Sequence, residues 1–243
     1  MSMIQDIIRL PMGLLGVSAN HYDGLSHVHK FGAVPAMSTN NTGTIWDVND
    51  TSYPWSAFAS ATTLTVDRAS ASDADKQVLI AGLDSAYNEI TETVTLASAT
   101  GNATTKSFIR VYRAYMTNGS ATNVGNVTVK ASTTVVAQIT AGKGQTLMAI
   151  YTVPAGYSAY ILKGAATCQD GADATGDMFV RYFGESAFRV GHSFEVCGDG
   201  GQYMYDFGIP LRIPEKSDID IRASVRSNNA RLTAAFDILL ERD

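Results

Sequence analysis

Hydrophobic and polar residues alternate along most of this chain, in short runs that are separated by polar turns. In residues 89–96, Ile90, Val94 and Leu96 fall on one face and threonines mark the other. This period of two is typical of a half-buried β-strand. Residues 106–116 form the longest such run. Because strands that follow one another without long helices favour antiparallel sheets, the pattern predicts an all-β protein.

The runs form two series, which predict two β-domains after an N-terminal arm. The first series, in residues 36–131, predicts an immunoglobulin-like or related β-sandwich. The second series, in residues 132–243, has about eight strands and predicts a jelly-roll-like domain. The predicted strands are residues 44–48, 62–66, 77–81, 89–96, 106–116 and 124–130, then 133–139, 146–153, 157–167, 177–183, 187–196, 202–207, 218–225 and 232–240.

Residues 1–35 lack this pattern and are predicted to form an extended arm. Ile4, Ile7 and Ile8 could line one side of a short helix that Pro11 ends. Several glycines then interrupt the chain without a clear period. The apolar side chains of such an arm need burial, and a neighbouring subunit is the natural place for it.

Composition narrows the classes of function. Only 17% of the residues are charged, and a surface with few charges is suited to contact with partners. The net charge of −5 argues against free nucleic acid as a ligand, since that binding needs a basic stripe. We expect neither a membrane span nor a secretory signal, because long apolar runs and an early basic cluster are missing. Cys168 and Cys197 are expected to be small buried residues, with one bridge between them as the alternative.

Four segments have a recognisable sequence texture: residues 82–96 (GLDSAYNEITETVTL), 144–157 (GQTLMAIYTVPAGY), 181–184 (RYFG) and 214–219 (PEKSDI). They resemble segments of virion structural proteins of tailed bacteriophages, especially marine ones. The resemblance covers roughly residues 30–243 and includes no catalytic signature. It implies a component of the virion and does not say which one.

Two clusters could hold a metal ion, although each has a plainer interpretation. His27 and His29 would point to one side of a strand, where they could bind a metal or respond to pH. A hydrogen bond from each ring to a carboxylate or to the backbone is the commoner role. Asp170, Asp173 and Asp177 share a loop that could suit calcium, but their spacing is not that of an EF-hand.

Arginines are candidates for contacts between subunits, because the planar guanidinium pairs with carboxylates in two places. Solvated surface charges are the equal alternative. Together with the apolar arm and the histidine pair, they give the predicted interface residues: Ile4, Ile7, Ile8, His27, His29, Arg110, Arg113, Arg222, Arg226 and Arg231.

No motif of a catalytic centre or a phosphate loop is present in the sequence, so we expect no enzyme, no catalytic residue, no metal and no cofactor. The leading hypothesis is a capsid decoration (cement) protein of a tailed phage, assembled in the host cytoplasm, that stabilises the shell across neighbouring capsid subunits. Its partners would be further copies of itself in a homotrimer, and the major capsid protein or other virion proteins. A tail or fibre component that binds host-surface glycan is the alternative, and a polysaccharide hydrolase is a third hypothesis.

Overall fold

A computed structural model describes residues 13–39, 41–117, 122–169, 172–198, 201–226 and 230–243. These residues form antiparallel sheets with little helix, which confirms the all-β prediction. One short helix, α1 (Gly13–Ser18), and two short 3₁₀ turns (Trp55–Phe58 and Ala71–Asp73) accompany the strands. The strands are β1 (Leu25–Met37), β2 (Gly43–Thr44), β3 (Thr62–Arg68), β4 (Gln77–Leu83), β5 (Glu89–Thr95), β6 (Asn102–Phe108), β7 (Arg110–Met116), β8 (Val127–Ala131), β9 (Thr134–Ile139), β10 (Ile150–Thr152), β11 (Tyr157–Cys168), β12 (Ala174–Arg181), β13 (Arg189–Val196), β14 (Gln202–Ile213), β15 (Asp218–Val225) and β16 (Ala230–Arg242).

Eight of the strands form a jelly roll, whose first strand is β1. One sheet has the order β1-β16-β11-β14 and the other the order β10-β15-β12-β13, with β2 also paired to β15. Numbered along the chain from one to eight, these orders are 1-8-3-6 and 2-7-4-5. This is the double Greek-key order of a jelly roll. The fold therefore needs a strand from near each end of the chain, since β1 and β16 pair along almost their whole length.

The other strands form a second sandwich, which is inserted between the first two strands of the jelly roll. Its sheets have the orders β6-β3-β8-β9 and β5-β4-β7. In an immunoglobulin constant domain the first strand pairs with the second, whereas here β3 lies between β6 and β8. The inserted unit is thus a related sandwich with a different strand order. The structure contains two large hydrophobic cores, one within each sandwich.

A short antiparallel stalk joins the two sandwiches. The chain leaves the jelly roll at Ile45 and returns at Ala149, and the Ala149 amide donates to the Ile45 carbonyl at 3.0 Å. Trp46 and Met148, the next pair outward, form an isolated bridge and are buried. Gly32 of β1 packs directly on the backbone of Ile45 and Ala149, where a Cβ would lie 2.0 Å from the Ile45 oxygen. Glycine is required here because two backbones meet with no room for a side chain.

The structure differs from the predicted segments at three places. Residues 25–35 of the predicted arm form most of β1 and are paired within the same chain, not with a neighbour. Strand β9 belongs to the inserted sandwich, so the boundary between the two sandwiches lies at the stalk and not, as predicted, between residues 131 and 132. Residues 106–116 form parts of two strands, because the chain passes at Ile109 from one sheet of the sandwich to the other.

Candidate functional site

Buried charges lie where the two sandwiches meet, beside the stalk. Asp218 of β15 is 2% exposed and pairs with Arg110 of β7, which is 7% exposed. Arg110 donates from Nε and Nη2 to the two carboxylate oxygens at 2.8 and 3.0 Å. Arg181 of β12 donates to the same carboxylate from Nε and Nη2, at 3.0 and 2.5 Å. Thr152 completes the set with a hydroxyl donor at 2.6 Å. One carboxylate therefore ties the inserted sandwich to three strands of the jelly roll, β10, β12 and β15.

A second buried carboxylate, Asp220, lies two residues further along β15 on the same face. It accepts hydrogen bonds from Thr44 Oγ1 at 2.8 Å, Trp55 Nε1 at 2.9 Å and Arg222 Nε at 2.8 Å. Burial raises the pKa of Asp220, although these donors oppose that rise. By contrast, hydrogen bonds and charge attraction from Asp218 outweigh burial at Arg110 and raise the pKa of the guanidinium. The donors thus keep both carboxylates bonded inside the protein.

Above these charges lies an open cavity of about 300 Å³, which we call the junction cleft. Its lining includes Trp55 and Tyr87 from the inserted sandwich, and Arg181, Phe183, Glu185 and Lys216 from the jelly roll. Phe183 is 60% exposed, and its ring meets that of Tyr87 edge to face at 5.6 Å. The Lys216 ammonium lies 5.3 Å from the centre of the Phe183 ring. The cleft thus combines a flat exposed ring with polar groups of both signs.

Three tight turns contribute to the cleft, and all three lie in the four segments that the sequence analysis singled out. Tyr87 is in the turn between β4 and β5, Phe183 follows β12, and Lys216 is in the turn between β14 and β15. The fourth such segment contributes Ala155, whose amide donates to the Tyr87 carbonyl at 2.9 Å. The structure therefore brings together parts of four segments that are far apart in the sequence.

In contrast to the buried charges at the junction, apolar side chains are exposed at the open side of the jelly roll. Here β13 and β14 are the outermost strands of their sheets. Ile209 is 89% exposed and Met204 72% exposed, and Val190 and Tyr205 are exposed as well. We call these four residues the exposed edge. Residues 207–210 of β14 stand opposite the single residue Leu162 of β11, so the strand bulges outward at Ile209.

A group of aromatic rings lies behind the exposed edge. The His192 ring is 4.6 Å from Tyr205 and 5.2 Å from Phe207, and its Nε2 is hydrogen-bonded to the Tyr203 hydroxyl. Tyr203 and Tyr205 are nearly parallel, with their centres 6.3 Å apart. The three aromatic residues of β14, Tyr203, Tyr205 and Phe207, are not among the predicted site residues. Their alternation at every second position was the available signal for a shared strand face.

The predicted histidine pair lies on the outer face of the first sheet. Both rings are hydrogen-bonded to Asp237 Oδ1, His27 through Nε2 at 3.0 Å and His29 through Nδ1 at 2.7 Å. Burial alone would raise the pKa of Asp237, but the two imidazoles outweigh it and hold this pKa below its usual value. Asp237 stands opposite Lys163, which stands opposite Asp206. The pair thus begins a row of charges that crosses all four strands.

The predicted arginines divide into two groups. Arg110 and Arg222 are bonded to carboxylates of the same chain, as given above, so these guanidinium groups are used within the chain. Arg113, Arg226 and Arg231 are exposed. Arg113 donates to the Gln145 side chain at 2.9 Å.

Other predicted residues carry no site in the described structure. Ile4, Ile7, Ile8 and Asp170 lie outside the described residues. Cys168 and Cys197 are both free, and Cys197 is exposed, so its predicted burial is wrong. The remaining loop carboxylates bond within the chain, Asp173 to the Gly198 amide and Asp177 to Ser193. Among the described residues, no group of three or more His, Cys, Asp or Glu side chains is arranged to hold a metal.

Comparison with known proteins gives no family. No family model matches the chain, and no curated protein matches it. Among solved structures, the chain is similar to one from the Cowpea mosaic virus top component, at 9% identity over 76% of this chain and 82% of that chain, with a TM-score of 0.22. It is also similar to one from the infectious bursal disease virus Gx strain, at 12% identity over 99% and 83%, with a TM-score of 0.19. Since these scores are low, the jelly roll is assigned from its strand order alone. In the described part of the chain, no helix has the length and apolar character that a membrane span requires.

Proposed function

We propose that this chain is a structural protein of a virion, and specifically a capsid decoration protein without enzymatic activity. The observation that carries the proposal is the exposed edge. Outermost strands are normally protected by charges, by proline, by a bulge or by a covering element. The bulge and Pro210 of β14 hinder pairing with a further strand, so a partner would contact its side chains instead. Residues 202–211 contain one charged side chain, Asp206, and both Ile209 and Met204 face solvent. Exposed apolar side chains grouped in this way are typical of a contact with another protein.

The exposed edge is suited to repeated contacts in an assembly. Ile209, its most exposed side chain, lies on a bulge of the outermost strand β14. Each contact of this size is weak, but many copies on a shell gain affinity through multivalency. The small charged fraction of the chain also suits extensive contacts, because charged residues are depleted at interface cores.

We further propose a homotrimer as the form that binds the capsid. Closed symmetry lets the exposed edge of one copy meet a different face of the next, which satisfies every copy equally. The partner on the shell would be the major capsid protein or another virion protein. The exposed arginines Arg113, Arg226 and Arg231 would pair with carboxylates of these partners.

Cryo-microscopy of the particle tests this function. Density for the two-sandwich unit at three-fold or quasi-three-fold positions of the head would support it, whereas absence of the protein from the head would refute it. The solution mass of the purified chain tests the trimer separately. A mass of one copy at all accessible concentrations would contradict a trimer that forms before binding.

A further inference from the structure

We propose that the junction cleft is a binding site for a saccharide, and that it acts whether the protein is on the head or elsewhere in the particle. The juxtaposition of Phe183, Lys216 and Arg181 over the buried Asp218 carries the proposal. It is separate from the exposed edge, which lies on the β13 and β14 side of the jelly roll.

The first reason is the exposed aromatic face at the mouth of the cleft. The Phe183 ring meets Tyr87 in a T-shaped contact and has the Lys216 ammonium over it, and 60% of the residue is still exposed to solvent. Exposure of a phenylalanine ring to water is energetically unfavourable. The C–H face of a pyranose ring packs against such a flat apolar surface, while its hydroxyl groups stay hydrated or bonded.

The second reason is the pair of polar groups beside that ring. Hydroxyl groups both donate and accept hydrogen bonds, so they are recognised best by donors and acceptors together. Lys216 offers an ammonium whose paired carboxylate, on Glu215, is 3.8 Å away and beyond hydrogen-bond distance. Glu185 also lines the cleft, and its carboxylate is paired with Arg189, at 2.9 Å to Oε1 and 2.8 Å to Oε2. Arg181 also lines the cleft, with its Nε and Nη2 directed to Asp218.

The third reason is that the cleft is held in shape before any ligand binds. Tyr87 and Lys216 have positive φ angles, +67° and +59°, which non-glycine residues rarely adopt. Such strain persists only where the surroundings enforce it. Backbone hydrogen bonds hold both residues here, from the Ala155 amide to the Tyr87 carbonyl at 2.9 Å and from the Lys216 amide to the Val153 carbonyl at 2.8 Å. A rigid cleft loses little entropy on binding, which favours affinity for a small ligand.

Calorimetric or NMR titration of the full chain tests the inference, with a neutral glucose oligosaccharide and a uronic acid oligosaccharide as probes. We expect at least one of them to bind with a dissociation constant of about 0.1–1 mM. Phe183→Ala and Lys216→Gln should each weaken that binding by about tenfold. Val124→Ala and Lys143→Gln, which remove an exposed apolar side chain and an exposed lysine elsewhere, should leave it unchanged.

The two probes distinguish the source of the ligand. Preference for the uronic acid would show that Lys216 and Arg181 pair with a carboxylate, and preference for glucose would show recognition through hydroxyl groups alone. Lack of binding by both probes would overturn the proposal, as would binding that neither Phe183→Ala nor Lys216→Gln weakens. A glutamate-rich peptide that displaces the saccharide and binds more tightly would also overturn it in favour of a protein partner. These outcomes do not depend on where cryo-microscopy places the protein in the virion.

Discussion

The junction of the two sandwiches and the exposed edge reverse the usual distribution of side chains. At the junction, charged groups are buried, and Asp218 pairs with two arginines from different sandwiches. At the exposed edge, apolar groups face solvent, and Ile209 is almost fully exposed. Buried ion pairs add little net stability compared with apolar packing, but they fix one geometry, because any other leaves a charge unpaired. The junction thus orients parts within the chain, whereas the edge is available to other chains.

The largest effect is expected from breaking the junction. Asp218→Ala leaves the buried Arg110 and the half-buried Arg181 without their carboxylate. The free energy of unfolding should fall by about 3–5 kcal/mol, which is the usual cost of an uncompensated buried charge. Denaturant titration measures it. Asp206→Ala is the matched control, because its weak pair with Lys163 is exposed, and it should change the stability by less than about 0.5 kcal/mol. A similar small loss in both variants would contradict the role given to Asp218.

A smaller effect, of opposite sign, is expected at the stalk. Asp47 is buried there and accepts from Thr140 Oγ1 at 2.8 Å, and burial raises its pKa from 3.8 to about 6. The folded protein therefore holds this proton more tightly than the unfolded chain does. Stability falls as the pH rises from 3.8 to about 6 and stays lower above that range. Asp47→Asn should accordingly raise the free energy of unfolding by about 1–3 kcal/mol at pH 8 and change it little at pH 4.

The control for Asp47 is a carboxylate whose pKa moves the other way. Asp50 accepts from Ser38 Oγ at 2.6 Å and from Asn41 Nδ2 at 2.7 Å, and these hydrogen bonds lower its pKa. Asp50→Asn should therefore destabilise the protein at pH 8, where Asp47→Asn stabilises it. Thermal unfolding at both pH values compares the two variants. Equal shifts of the melting temperature in the same direction would show that burial at the stalk is not the cause.

A weaker effect is expected on the outer face of the first sheet. Asp237→Asn removes the carboxylate shared by His27 and His29. Because this cluster is partly exposed, the free energy of unfolding should fall by only about 0.5 kcal/mol at pH 6. Because the pKa of Asp237 is lowered in the fold, its contribution is present above the usual carboxyl range and is lost as the pH falls below it. The free energies of unfolding of the unmodified protein and of Asp237→Asn, measured by denaturant titration, should therefore converge between pH 6 and pH 3. A difference that grows towards pH 3 would contradict this.

The sequence predicts most strands, because alternation of apolar and polar residues is a local property. It does not predict β1, whose histidines, glycine and proline hide the period and whose partner β16 lies some two hundred residues away. Long separation along the sequence also prevents prediction of the buried ion pairs at the junction. Arg110 was a candidate for an interface, yet its carboxylate is 108 residues further along the chain. Long-range pairing of this kind depends on the order of the strands in each sheet. The number of predicted strands does not determine that order.

The smallest effect on stability is expected at the exposed edge, where the effect on assembly should be greatest. Ile209→Ser removes an apolar side chain that makes few contacts in the chain, so the free energy of unfolding should change by less than about 0.5 kcal/mol. The same variant should lower the solution mass or the occupancy on the capsid, because the bulge would lose its apolar contact. Val124→Ser, on an exposed valine of the inserted sandwich, is the matched control and should keep both. If Ile209→Ser assembles like the unmodified protein, the exposed edge is not the contact surface, and the contrast with the junction then reflects burial alone.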